Sequence, residues 1–262
     1  LPEVTPARGR RVGRIGLLAG SIQRFLLPGI NRATARALAA AGYEVMTPRD
    51  QGCCGALHLY TGDLEAGRAL AKKMIETFER TQVDTVVANA AGCGSVMKEY
   101  GRLLRNETGW RDRAGAFSAK VRDVSEILSE VRWDGTLKPV PLTVTYHEAC
   151  HLAHAQGIRS EPRSLLQQVP GIRLVELPES DLCCGSAGIY NMLQPDLADQ
   201  LLRWKVQRIR ETGASHVAIG NIGCLLQITL GLRQVNLPVQ AVHPVELLDW
   251  SLHGMPAEAP SA

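Results

Sequence analysis

The chain repeats itself. Cys53-Cys54 and Cys183-Cys184 are adjacent pairs 130 residues apart, Cys93 and Cys224 lie 131 apart, and Ser21 stands 129 before Cys150. A drift of two residues over that length marks an internal duplication, which restricts the fold to two copies of one unit. All seven cysteines fall on this frame. Cysteines scattered through a core merely as small residues would have no reason to keep such a register. The full set of four, Cys150, Cys183, Cys184 and Cys224, belongs to the second copy. In the first, Ser21 takes the place of the leading cysteine.

Each copy carries the same order of elements. Short apolar runs at 14–18 and 142–146 read as strands and end just before Ser21 and Cys150. Helical stretches at 31–41 and 162–169 stop at Gly42 and at Pro170-Gly171. Second strands at 43–47 and 173–177 lead into the adjacent cysteine pairs. Long amphipathic helices then cover 63–81 and 195–212. Leu64, Ala71, Ile75 and Phe78 share one face of the first, and Leu197, Leu201, Val206 and Ile209 one face of the second. Third strands at 85–89 and 216–220 run on to Cys93 and Cys224, and 121–128 echoes 242–248.

Strands alternating with helices predict an α/β fold: two tandem similar lobes, each a small parallel sheet flanked by helices, related by a pseudo-twofold axis. The expected divisions are a flexible N-terminal segment at 1–13, a first lobe at 14–135, a second at 136–253 and a tail at 254–262. The polar stretch 106–117 reads as a surface excursion. In parallel sheets sites gather beyond the carboxyl ends of the strands. Every cysteine position follows a predicted strand, so the fold should gather Cys150, Cys183, Cys184 and Cys224 at one sheet edge.

Charge and composition exclude several classes. A net charge of +3 and 5% aromatic residues give no basic-aromatic stripe for nucleic acid. No apolar run reaches the roughly 18 residues of a membrane span, and no signal peptide opens the chain, so a cytoplasmic protein is expected. Seven cysteines in a chain of this size then point to metal binding or redox work rather than a disulfide framework. The paired C-x2-C knuckles of structural zinc sites are missing. Adjacent cysteines on one turn suit two irons of a cluster better than one small tetrahedral ion. The bacterial ferredoxin run of four closely spaced cysteines is missing too.

Gly52-Cys-Cys-Gly-Ala-Leu57, Ala149-Cys-His-Leu152, Cys183-Cys-Gly-Ser-Ala-Gly-Ile-Tyr-Asn191 and Asn221-Ile-Gly-Cys-Leu-Leu-Gln-Ile228 together resemble the CCG cysteine-rich domain. That domain occurs twice in the cysteine-rich subunit of heterodisulfide reductase and in iron–sulfur subunits of flavin-linked dehydrogenases. The segments look most like the C-terminal region of a glycolate oxidase iron–sulfur subunit, and the resemblance runs over about 14–248. It implies one-electron relay by a [4Fe–4S]-type cluster on Cys150, Cys183, Cys184 and Cys224, with no substrate-binding catalytic residues on this chain. It further implies FAD on partner dehydrogenase subunits that oxidise a small 2-hydroxy acid, and a quinone-linked acceptor reached by peripheral association with the inner face of the membrane. It also implies an N-terminal portion with two further clusters, so the chain is expected to be the C-terminal region of such a subunit, with a naturally short relative as the alternative. The sequence departs from the full pattern at Ser21 and at Val96 and Gln227, which replace the last cysteine of each C-x2-C. Five-thiolate ligation is therefore not expected.

Other readings stay open. Cys53, Cys54 and Cys93 form a lapsed site, a second site holding a labile cluster, or a disulfide under oxidation, the lapsed site being the expected one. Of His147, His151 and His154, which flank Cys150, His151 is the expected outer-shell partner of the cluster sulfurs. A thiol–disulfide module of the heterodisulfide reductase kind, or a zinc-bound or metal-free docking lobe, are the rival functions.

Overall fold

A computed structural model describes residues 1–133 and 135–256. The chain divides into two compact units with the boundary between Leu128 and Ser129, a few residues earlier than the expected 135/136. The first unit runs β1 (Val4–Thr5), β2 (Gly13–Leu17), α1 (Gln23–Leu26), α2 (Pro28–Ala40), β3 (Tyr43–Met46), α3 (Ala56–Tyr60), α4 (Leu64–Glu79), β4 (Thr85–Ala88), α5 (Ala91–Lys98), α6 (Tyr100–Leu103), α7 (Arg111–Lys120), β5 (Val121–Asp123) and α8 (Val124–Leu128). The second runs β6 (Thr143–His147), α9 (Cys150–Ala153), α10 (Ser160–Gln168), β7 (Arg173–Val175), α11 (Tyr190–Leu193), α12 (Pro195–Glu211), β8 (His216–Ile219), α13 (Ile222–Gln234), β9 (Gln240–Val242) and α14 (Pro244–His253).

The sheets share one topology. Their strand orders are β1-β3-β2-β4-β5 and β7-β6-β8-β9, parallel throughout except for β1. The registers repeat as well: Leu17 pairs with Val87, and the duplicated positions Tyr146 and Ala218 pair in the second sheet. In each sheet the first parallel strand, β2 or β6, lies between the next two, so chain direction across the sheet reverses there. That reversal opens a crevice beyond the carboxyl ends of β2 and β4, and of β6 and β8, where parallel sheets place their sites. Buried β-branched and aliphatic residues of the central strands, such as Ile15, Val86, Val87, Val144 and Val217, explain their pairing.

Three expectations need correction. Residues 1–13 are not a loose lead: β1 pairs antiparallel with β3, Val4 opposite Met46. The stretch 106–117 is not merely a surface excursion, because α7 buries Ala114 and Phe117, and Phe117 stacks on Tyr100 with ring centroids 5.6 Å apart. The long helices bury the expected faces except near their amino ends: Ala71, Ile75 and Phe78 in α4 and Val206 and Ile209 in α12 are buried. Leu64 and Leu197 are exposed, whereas Met74 in α4 and Ala198, Leu202 and Lys205 in α12 face inward. Of the expected tail, residues 257–262 lie outside the described residues.

Asp123 ends β5 and caps α8, accepting hydrogen bonds from the backbone N and Oγ of Ser125 at 2.8 and 2.6 Å. Burial raises its pKa from 3.8 to about 6. A raised folded-state pKa contributes stability that is full below pH 3.8 and lost as pH rises through 6. Across that window the group is worth about 3 kcal/mol. Urea unfolding at pH 4.5 and 7 should therefore show a carboxylate-dependent loss at the higher pH, and Asp123→Asn should flatten it. An unchanged pH profile in Asp123→Asn would exclude this residue as the source.

Candidate metal centre

Three loops at the carboxyl edge of the second sheet carry the four thiols. Cys150 opens α9 directly after β6, Cys183 and Cys184 lie in the loop between β7 and α11, and Cys224 sits in the first turn of α13 after β8. Cys184 and Cys224 are buried, and Cys150 and Cys183 are half-buried. Among the described residues one group of side chains is spaced to hold a metal ion: a His147 ring nitrogen and the sulfurs of Cys184 and Cys224, all within 4.8 Å of one another.

The thiols perturb one another strongly. Cys150 is raised, first by hydrogen bonding to Cys183 and then by burial. Cys183 is drawn down to about 2, chiefly by the thiols of Cys150 and Cys184. Cys184 is driven well above its ordinary value by hydrogen bonding to Cys183 and Cys224 and by burial. Cys224 is held well below it, first by Cys184, with His147 and Asn221 contributing. Two of the four sulfurs thus favour the thiolate and lean on the other two as proton donors. Soft thiolates crowded in a buried pocket suit a soft or borderline cation, which would relieve the mutual repulsion on full ionisation.

Local structure aims these sulfurs. Gly185 N donates to Cys183 Sγ at 3.4 Å, and Asn221 Nδ2 donates to Cys224 Sγ at 3.3 Å. The amino end of α13 adds a partial positive charge beside Cys224. Gly185 holds φ +91° and Gly223 lets Ser186 approach closely, so the two cysteine loops nest together. His151 Nδ1 lies 3.6 Å from Cys150 Sγ, and burial lowers its pKa. His154 instead contacts the Arg159 guanidinium, Nη2 to Nδ1 at 3.1 Å.

Two polar residues missed in the sequence brace the loop. Lys205 is fully buried and donates to the carbonyl oxygens of Glu179 and Ser180 at 2.6 and 3.3 Å. Burial lowers its pKa to about 8. Glu148, also buried, forms ion pairs with Arg159 and Arg163, and its backbone N donates to Ser180 O at 3.1 Å. Lys205 was hidden because a lysine in a long helix ordinarily signals the solvent face.

The first unit brings Cys53, Cys54 and Cys93 to the equivalent edge, with a different balance. Ser21 Oγ donates to Cys53 Sγ at 3.2 Å and Tyr100 OH to Cys54 O at 2.6 Å. Cys53 is raised by hydrogen bonding to Cys54 and by burial. Cys54 accepts from Cys53, yet its bond to Cys93 and its burial leave it well above its ordinary value. The sulfurs of both adjacent cysteines are thus pushed toward the protonated thiol, whereas the second unit holds two of its sulfurs toward the thiolate.

The profile of the cysteine-rich domain, CCG, matches residues 19–98 and 144–229, once in each unit. The chain belongs to the CCG cysteine-rich domain family. It is 37% identical over 252 residues to a Bacillus subtilis protein named as a probable glycolate oxidase iron–sulfur subunit, covering 94% of this chain and 56% of that relative. The glycolate oxidase iron–sulfur subunit of Escherichia coli is 34% identical over 250 residues, covering 94% of this chain and 60% of the relative. Lactate utilization protein A of an Exiguobacterium species is 30% identical over 236 residues, covering 90% of this chain and 96% of the relative. The chain thus spans little more than half of the glycolate oxidase subunits and nearly the whole of the lactate utilization protein. No helix among the described residues is long and apolar enough to cross a membrane.

Proposed function

We propose that this CCG protein is an electron-relay subunit of a flavin-dependent dehydrogenase of small 2-hydroxy acids. The carrying observation is the convergence of Cys150, Cys183, Cys184 and Cys224 where chain direction reverses beyond β6 and β8. The sulfur donors, two of them poised as thiolates, fit an iron–sulfur cluster, and [4Fe–4S] is one type that four protein thiolates serve. Such a cluster, when bound, supplies reversible one-electron storage. The protein's part is to hold, bury and tune it. Cys183 and Cys184 would grip it from one rigid loop, fastened by Lys205 and Glu148, while His151 would stand beside the Cys150 sulfur. The relatives' names support the setting, with glycolate and lactate as candidate upstream substrates. The flavin would reside on a partner subunit, and the electrons would leave toward a quinone-linked acceptor from a cytoplasmic complex at the membrane face. The first unit would be a lapsed copy that keeps the fold.

Anaerobic purification with iron, acid-labile sulfide and zinc analysis tests this reading. About four irons and four sulfides per chain, with an EPR signal that appears or vanishes on reduction, are expected. Stoichiometric zinc without sulfide, or no metal after reconstitution, would overturn it.

A further inference from the structure

The duplication supplies an internal control for each residue around the thiols. His147 ends β6 at the position that Leu18 holds in the first unit, by the same 129-residue offset that relates Cys150 to Ser21. Both side chains are 1% exposed. Leu18 packs into the apolar core of its unit. An imidazole at the same depth brings two polar nitrogens with it. Neither makes a hydrogen bond among the described residues, and an unsatisfied buried polar atom costs about 1–3 kcal/mol. One ring nitrogen instead groups with the sulfurs of Cys184 and Cys224 within 4.8 Å. The copy with the complete thiol set thus has a buried nitrogen donor beside two of its sulfurs, and the copy with three thiols has a leucine. Of the polar side chains close to Cys224 in sequence, Asn221 donates its amide N–H to the Cys224 sulfur at 3.3 Å, and Gln227 has its amide oxygen occupied by Asn191 Nδ2 at 2.9 Å.

We propose that His147 is a nitrogen ligand of the iron–sulfur centre, a fifth donor beside the four thiolates. This rests on the cluster reading above and adds to it the identity of a non-cysteine ligand. Neutral imidazole is a good donor to iron and brings no charge, so it coordinates without adding to the repulsion among four thiolates. In clusters where histidine replaces cysteine the reduction potential rises. His147 would therefore set the potential of this centre above that of an all-cysteine one. It would also give one iron a ligand bond distinct from those of the others.

The experiment uses the full chain purified without oxygen, with natural-abundance and ring-15N histidine. Pulsed EPR of the paramagnetic cluster should show a strong histidine-nitrogen coupling that changes with the isotope. The coupling should disappear in His147→Leu and persist in His151→Leu. His147→Cys, which keeps a ligand at the position, should also lose it, retain iron and sulfide, and shift the reduction potential downward. It serves where His147→Leu fails to fold. A full cluster lacking strong histidine coupling, or one whose coupling survives in His147→Cys, would overturn the ligand assignment and leave the cluster reading intact. A chain with no iron and no sulfide would overturn both.

Discussion

Cys184→Ser is expected to strip essentially all iron and sulfide from the protein, and Cys54→Ser to leave both in place. The two residues are duplicates in sequence and are buried alike, at 1% and 3% exposed, so a packing effect alone would treat them equally. Their surroundings differ. Cys184 lies between Cys183 and Cys224, two sulfurs held toward the thiolate, with a His147 nitrogen nearby. Cys54 lies beside a Cys53 thiol that accepts a hydrogen bond from Ser21 and is pushed toward its neutral form. Serine oxygen is a hard donor that iron in sulfide clusters accepts poorly. Because metal binding is coupled to folding, Cys184→Ser should also lower the thermal midpoint of the second unit more than Cys54→Ser lowers that of the first. Iron and sulfide analysis with EPR on the matched variants checks this. Equal losses from both would assign the metal to both units, or to neither in particular.

The duplication, the strand–helix alternation and the gathering of the thiols were legible because each leaves a periodic or repeated mark in the sequence. What stayed hidden has no such mark. Strand β1 is two residues long, and the segment 1–13 offers no alternation to betray it. Helix α7 carries a weak apolar stripe, since the buried pair Ala114 and Phe117 is set among charged neighbours. Lys205 and Glu148 broke the rule that charge marks the surface, because each is buried against specific partners: carbonyl oxygens for the lysine, two guanidinium groups for the glutamate. His147 was one of three candidate histidines near Cys150. Its special position follows from pairing at the end of β6, opposite Ile219, which turns it to the buried side of the sheet edge. His151, the partner expected from its place directly after Cys150, does lie near a sulfur but only half-buried.

Gly185→Ala should destabilise the second unit by about 2–5 kcal/mol, and the duplicated Gly55→Ala should cost the first unit less. Both glycines follow an adjacent cysteine pair and both hold left-handed backbones, φ +91° and +80°. A non-glycine residue there costs about 1–2 kcal/mol at either site. The space differs. A Cβ at Gly185 would lie 2.3 Å from the Ala198 carbonyl oxygen, part of the first turns of α12. That atom belongs to helical backbone, so the loop itself would have to move, and overpacking of this kind adds about 1–3 kcal/mol. At Gly55 the nearest atom is Gly67 O at 3.3 Å, a contact that a shift of a few tenths of an ångström relieves. Moving Gly185 also draws its N–H away from Cys183 Sγ. Gly185→Ala should therefore lose cluster occupancy together with stability, whereas Gly55→Ala should lose a little stability alone. Denaturant unfolding followed alongside iron content separates the two. Equal stability losses with unchanged iron in both variants would mean that the close packing of the Cys183-Cys184-Gly185 turn on α12 does not govern how the thiols are held.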